Sequence, residues 1–101
     1  MSLPTDHSKI ANKLVFNFHS DPSHGWLAVK KTLVRELGIV DQISAYSYMQ
    51  GQSVYLEEDC DAGIFINAFE AKFGFKPAIK ELSSRNAGSP IRSMKRFAME
   101  A

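Results

Sequence analysis

Alternating side chains predict a β-hairpin in the middle of the chain. Every second residue of the segment 44–50 would lie on the same side of an extended strand, and Gly51 interrupts the alternation. A two-residue loop that begins at Gly51 fits a type II′ turn, because glycine readily adopts the positive φ of the first loop position. This register places Tyr48 opposite Tyr55. A slip of one residue in one strand is the alternative, and it would place the tyrosines opposite apolar residues.

A helix is predicted between the hairpin and Gly74. Three phenylalanines recur at a spacing of four, which places them on one face of a helix. They are Phe65, Phe69 and Phe73. We expect this stripe to pack as core against Val54 and Leu56 of the hairpin. Asp59 is the predicted N-cap, with Asp61 in the first turn, and Gly74 suits the end of the helix.

Shorter patterns predict the remaining elements. Alternating apolar residues indicate two strands at residues 13–19 and 24–29, joined by a turn and paired antiparallel. Residues 30–37 have the period of an amphipathic helix. Residues 76–84 contain a proline and few apolar positions, which indicates either a last strand at an edge or an extended segment. Residues 91–101 are interpreted as a short helix.

These elements predict a single α+β domain at residues 1–101. Its expected architecture is an antiparallel sheet of four or five strands with two helices, in the order β-β-α-β-β-α, and a final strand is left open. The helices are expected on one face, which leaves the other face open. Two segments are expected to be peripheral, namely a loose N-terminal lead-in at residues 1–11 and a basic C-terminal segment at residues 85–101.

Net charge excludes a general affinity for polyanions or membrane surfaces. The 101 residues include 12 basic and 11 acidic side chains, which give a net charge of +1. Acidic residues dominate residues 41–74, whereas basic residues dominate residues 75–101. We expect these opposite charges to meet within one subunit or across two subunits.

Cys60 is the only cysteine, so an internal disulfide and a cysteine metal cluster are excluded. A reducing, cytoplasmic location is therefore favoured, and neither a signal peptide nor a membrane span is expected. The thiol stands among carboxylates that oppose ionisation, with no histidine close in sequence to act as a base. We expect a half-buried structural thiol.

Four carboxylates follow the hairpin and form the main candidate metal site. They are Glu57, Glu58, Asp59 and Asp61. Hard cations such as Mg²⁺ or Ca²⁺ bind carboxylate oxygens. Two pairs can converge on one cation, namely Glu58 with Asp61, or Glu57 with Asp59. Helix capping and a solvated acidic surface are preferred, and no cofactor is expected. One turn contains three residues of types that bind zinc, but it is interpreted as a plain surface loop. These residues are His19, Asp21 and His24.

Three tyrosines form the main candidate binding surface. They are Tyr46, Tyr48 and Tyr55. Bases of single-stranded nucleic acid can stack on such rings while basic residues hold the phosphates. The basic residues in question are Arg92, Lys95 and Arg96. The preferred alternative is that a dimer partner or the C-terminal segment covers the rings, because exposed apolar patches often mark subunit contacts.

A resemblance to a known group of proteins covers roughly His24 to Arg92. The segments that carry it are HGWLAVKKTLVRELGI, ISAYSYMQGQSVYLEEDCDAG and SPIR. They resemble small proteins that are encoded by bacteria and by phages, including marine phages, and to which no activity is assigned. The resemblance implies a cytoplasmic protein of phage-derived origin, and it assigns no functional residue.

The sequence favours a small non-enzymatic binding or assembly protein that forms a homodimer and binds a host or phage macromolecule. The first alternative is a nucleic-acid-binding accessory protein that uses the tyrosines and the basic C-terminal segment. The second is a divalent-metal-dependent hydrolase at the acidic corner.

Overall fold

The computed structural model of the protein describes residues 10–83 and 90–100. The strands are β1 (Val15–Ser20), β2 (Gly25–Lys30), β3 (Tyr48–Gln50), β4 (Ser53–Glu57), β5 (Ala78–Ser83) and β6 (Lys95–Arg96). The helices are α1 (Lys31–Glu36) and α2 (Ala62–Phe73). Short 3-10 helices lie at Ala11–Lys13, Val40–Gln42 and Pro90–Ser93.

The strands of the described residues form one sheet in the order β5-β1-β2-β4-β3-β6. Neighbouring strands are antiparallel except β1 and β5, which pair in parallel. The parallel pair arises because α2 acts as a crossover that carries the chain from β4 to the far side of β1. The predicted α+β fold is confirmed, although the strand count and order differ from the prediction. The predicted antiparallel sheet of four or five strands is corrected to a mixed sheet of six.

The central hairpin has the predicted register, but its first strand begins at Tyr48 and not at residue 44, because residues 45–47 form a turn. Tyr48 lies opposite Tyr55, and Gly51 has a φ of 58° at the first position of the loop. Val54 and Leu56 point into the core and are fully buried. The one-residue slip is therefore excluded, because it would exchange the buried and exposed faces of the strand.

The phenylalanine stripe of α2 packs in the core beside β1. Phe65 and Phe69 are fully buried, and the Phe16 ring meets them edge to face at centroid distances of 5.2 and 5.7 Å. Gly74 ends the helix with a φ of 85°, as predicted. The predicted N-cap is wrong by two residues, because Asp61 and not Asp59 holds that position.

The described part of the C-terminal segment, residues 90–100, packs against the sheet. Ile91 and Phe97 are buried, and β6 pairs with β3. The Phe97 N–H donates to the Ser47 carbonyl oxygen at 2.9 Å. A 3-10 turn and a short strand replace the expected helix, because the spacing of Ile91 and Phe97 would place them on different faces of a helix. Positions 1–9, 84–89 and 101 lie outside the described residues, as does most of the predicted lead-in.

The space at the start of β2 leaves no room for a side chain at Gly25. A Cβ atom on this residue would lie 2.3 Å from Cζ of Phe18, whose ring crosses the backbone there. This close approach lets β1 and β2 pair up to Ser20.

No helix in the described ranges 10–83 and 90–100 is both long enough and apolar enough to cross a membrane. The longest of the helices there is α2, which spans 12 residues.

Candidate functional site

Aromatic side chains share the sheet face opposite the helices, which we call the aromatic face. Tyr48 and Tyr55 are paired across the hairpin, and the ring of Trp26 lies 6.2 Å from that of Tyr48. His19 meets Tyr55 at 6.0 Å, and His24 meets Trp26 at 5.9 Å. Alternation along the strands places these rings together, because facing residues of neighbouring strands point to the same side.

Arg92 of the C-terminal segment lies over the aromatic face. Its guanidinium carbon is 5.6 Å from the centre of the Trp26 ring. Its Nε and Nη2 donate to the two carboxylate oxygens of Asp21 at 2.9 and 3.1 Å, and the Asp21 side chain is 1% exposed. This fork-shaped pair raises the pKa of Arg92 above its ordinary value. Asp21 also accepts the N–H groups of Ser23 and His24, so one carboxylate both shapes the β1–β2 turn and holds the C-terminal segment.

Arg96 lies over the next ring along the aromatic face. Its guanidinium carbon is 5.1 Å from the centre of the Tyr48 ring, and Nη1 donates to the Ala45 carbonyl oxygen at 3.0 Å. Arg96 makes no ion pair with a carboxylate of residues 10–83 or 90–100. Its remaining N–H groups can therefore donate to a ligand.

A cleft of about 390 Å³ opens beside the two arginines. We call it the aromatic cleft and define it by Tyr46, Tyr48, Glu57, Asp59, Arg92 and Arg96. Tyr46 is 65% exposed, and neither Glu57 nor Asp59 forms an ion pair with any residue in the described part of the chain. The cleft therefore combines flat stacking surfaces with hydrogen-bond donors and acceptors, in a volume typical of small-ligand sites.

Trp26 contributes a buried polar group next to the aromatic cleft. The residue is 3% exposed, and its indole N–H has no acceptor among the residues that the structure describes. A buried donor without an acceptor costs roughly 1–3 kcal/mol.

Asp61 organises the connection that leads into the hairpin. One of its carboxylate oxygens accepts the Ser44 N–H at 3.0 Å, the Ser44 hydroxyl at 2.7 Å and the Ser47 hydroxyl. The Ser47 oxygen in turn accepts the Glu57 N–H at 2.9 Å. Asp61 is 1% exposed, so this network fixes residues 44–47 against the beginning of α2.

Of the two candidate metal-ligand pairs, Glu58 and Asp61 do not converge, whereas Glu57 and Asp59 both line the aromatic cleft. Glu58 is exposed, whereas Asp61 is buried and already bound by serine donors. Asp21 of the second candidate group is bound to Arg92. No group of three or more ligand-type side chains that could hold a metal ion occurs in the described ranges.

Cys60 is exposed rather than half-buried. Its pKa is raised above the ordinary value, chiefly by a hydrogen bond with Glu57 and further by the negative charges of Glu57, Asp61 and Asp59. The thiol therefore stays protonated at neutral pH, which makes it a poor nucleophile.

We expect Glu57→Gln to make Cys60 more reactive toward iodoacetamide. A raised pKa leaves less thiolate at a given pH, so removing the charge of Glu57 lowers that pKa and moves the pH–rate profile to lower pH. The measurement is the alkylation rate as a function of pH. Glu58→Gln is the matched control, because Glu58 does not contribute to the shift. Superimposable profiles for the wild type and Glu57→Gln would contradict this assignment.

The structure brings together four of the six residues of the predicted binding surface. They are Tyr46, Tyr48, Arg92 and Arg96. Tyr55 lies beside His19, outside the aromatic cleft, and Lys95 is exposed on β6. Sequence reasoning missed Trp26, although its alternation with buried Leu27 places it on the same face as Tyr55. It also missed Asp21 as the partner of Arg92, and no local pattern indicates that pair.

No protein-family model matches this chain, and no curated protein or solved structure matches it either. Function is therefore inferred from the geometry of the aromatic cleft.

Proposed function

We propose that the protein is a small non-enzymatic binding protein whose ligand is a base of a single-stranded nucleic acid held in the aromatic cleft. The observation that carries the proposal is the position of Arg96. It lies over the Tyr48 ring, free of ion pairs with described residues, in a cleft that also contains two carboxylates.

Stacking selects a planar ligand. Nucleic-acid bases stack on aromatic rings. Tyr46 is mostly exposed and offers a second ring at the same site. A base stacked on Tyr46 would replace water on that ring, and its edge could then meet the N–H groups of Arg96.

The polar groups of the aromatic cleft select a ligand edge with both donors and acceptors. Glu57 and Asp59 accept hydrogen bonds, and Arg96 donates them. A base edge carries amino or imino donors next to ring-nitrogen or carbonyl acceptors, so it can satisfy both kinds of group. Guanine fits this pattern, because carboxylates can accept from its N1 and N2 groups while an arginine donates to O6 and N7.

The charges of the aromatic cleft favour a position outside it for the phosphates of a bound strand. Asp21 compensates Arg92, which leaves Arg96 facing two carboxylates. This balance does not favour an anion inside the cleft. Lys95 does not serve the cleft, because it pairs with Met49 and so lies on the helix face of the sheet, opposite to Arg96.

We expect labelled single-stranded DNA of mixed sequence to bind the protein at low salt, and Tyr46→Ala and Arg96→Ala each to weaken binding about tenfold. Fluorescence anisotropy measures the affinity. An abasic strand of the same length retains the phosphates but not the bases, so it should bind far more weakly.

Arg35→Ala is the matched control for charge, because Arg35 is exposed on α1 and does not line the aromatic cleft. Equal losses in Arg35→Ala and Arg96→Ala would indicate attraction by net charge and overturn the proposal. Equal binding of the abasic strand would overturn it as well.

We further propose a cytoplasmic location and retain the predicted homodimer and phage-derived origin as proposals. The exposed, unpaired thiol of Cys60 supports a reducing compartment. Light scattering tests the dimer through the solution mass of the purified protein, and a monomer mass at all concentrations would exclude it.

A further inference from the structure

β5 is an edge strand that is exposed along its whole length. Within residues 10–83 and 90–100 it pairs only with β1, and all six of its residues are exposed. In a parallel pair, every second residue of an edge strand directs its N–H and C=O groups away from the sheet. No backbone group in the described ranges pairs with that outer side. Such an edge can form a ladder with another extended chain.

Apolar side chains flank the same edge on both faces of the sheet. Ile79 is 44% exposed on the helix face, and Leu82 is 37% exposed on the aromatic face. Val15 of the adjoining strand β1 is 59% exposed on the aromatic face. A strand added beside β5 would remove part of this surface from water, which favours association.

The middle of β5 carries one charge on each face. Lys80 pairs with Asn17 on the aromatic face, and Glu81 pairs with Phe18 on the helix face. Neither charge forms an ion pair with a residue in the described part of the chain. Facing residues in a ladder lie on the same side of the sheet, so an added strand would bring its own side chains directly opposite both charges.

A second copy of the chain fits this edge poorly. Two copies related by a two-fold axis would pair antiparallel. Facing residues must lie on the same side of the sheet, so the axis passes through one residue that faces its own equivalent, and not between two residues. A ladder centred on the middle of β5 therefore places Lys80 opposite its own equivalent, or Glu81 opposite its own equivalent. Like charges that face each other directly are destabilising.

We propose that the outer edge of β5 binds an extended segment of a different protein as an added antiparallel strand. The segment carries a basic residue opposite Glu81 and an acidic residue opposite Lys80, flanked by apolar residues that cover Leu82 and Ile79. Antiparallel addition is preferred because its hydrogen bonds are better aligned than those of a parallel ladder. This site is independent of the aromatic cleft.

The test uses two capped peptides of identical composition, with threonines on both sides of a four-residue core. The complementary core is Val-Arg-Glu-Val, and the inverted core is Val-Glu-Arg-Val. Titration of the isotopically labelled full chain is followed by NMR. We expect the complementary peptide to shift the amide signals of residues 78–83 and to bind about fivefold more tightly than the inverted peptide.

The double variant Lys80→Glu/Glu81→Lys exchanges the two charges and should reverse the preference between the peptides. Both positions are exposed, and unchanged signals from the rest of the chain would verify that the variant is folded. Absence of shifts at β5 with either peptide, or a preference that does not reverse, would overturn the proposal. Shifts at β5 that depend on protein concentration alone would mean that a second copy occupies the edge, and would overturn it too.

Discussion

Phe69→Ala is expected to lower the free energy of unfolding by about 4 kcal/mol, which is typical for a buried phenylalanine. Phe69 is fully buried and is surrounded by other aromatic rings at centroid distances of 4.7–5.8 Å. They are Phe16, Phe65, Phe73 and Phe75. Removing its ring leaves a cavity between α2 and the sheet that these neighbours cannot fill without leaving their own positions.

Urea denaturation followed by circular dichroism measures this loss. Domains of this size have total stabilities of roughly 5–15 kcal/mol, so Phe69→Ala leaves the chain close to unfolding. Phe75→Ala is the matched control, because it removes the same group from a side chain that is 38% exposed. We expect the control to cost about 1 kcal/mol. Equal losses at the two positions would contradict the placement of Phe69 at the centre of the core.

Asp61→Ala is expected to lower the free energy of unfolding by about 3 kcal/mol, because its carboxylate accepts three hydrogen bonds in a buried position. Both hydroxyls and the Ser44 N–H would lose their acceptor. The connection before β3 would then loosen, although the hairpin itself keeps its own ladder.

Thermal unfolding measures this effect, and about 3 kcal/mol corresponds to a fall in melting temperature of roughly 12–24 °C for a domain of this size. Asp59→Ala is the matched control, since Asp59 is an exposed carboxylate two residues away, and we expect almost no change. The same assay tests the metal alternative. A melting temperature that Mg²⁺ raises in the wild type but not in Asp61→Asn would show that the carboxylate binds a cation instead of serving the serines.

The aromatic cleft exists only because the C-terminal segment returns to the sheet. Ile91 and Phe97 anchor the segment in the interior, and β6 adds a short ladder on β3. These anchors carry Arg92 and Arg96 to the rings that form the floor of the cleft. Stability of the segment and ligand binding are therefore expected to be linked.

Local pattern was sufficient to predict the hairpin and α2. Gly51 fixes the position of the loop and therefore the register of the two strands. Tyrosines then alternate with Val54 and Leu56, and this alternation decides which side of the hairpin is buried. The spacing of the phenylalanines likewise defines the inner face of α2, because a helix repeats every 3.6 residues. In these elements the interacting residues are close in sequence, so their geometry is settled by a few backbone angles.

Contacts between distant segments decided the strand pairings and the side-chain pairs that local pattern did not predict. Asp21 and Arg92 are 71 residues apart, and β6 is too short to show any alternation. The parallel pairing of β5 with β1 depends on where the crossover helix delivers the chain. Periodicity records which side of an element is buried, but it does not record which element lies against that side. The sequence therefore determined the register of the hairpin, the inner face of α2 and most of the residues available for binding. Tertiary packing of the C-terminal segment decided which of those residues form the aromatic cleft.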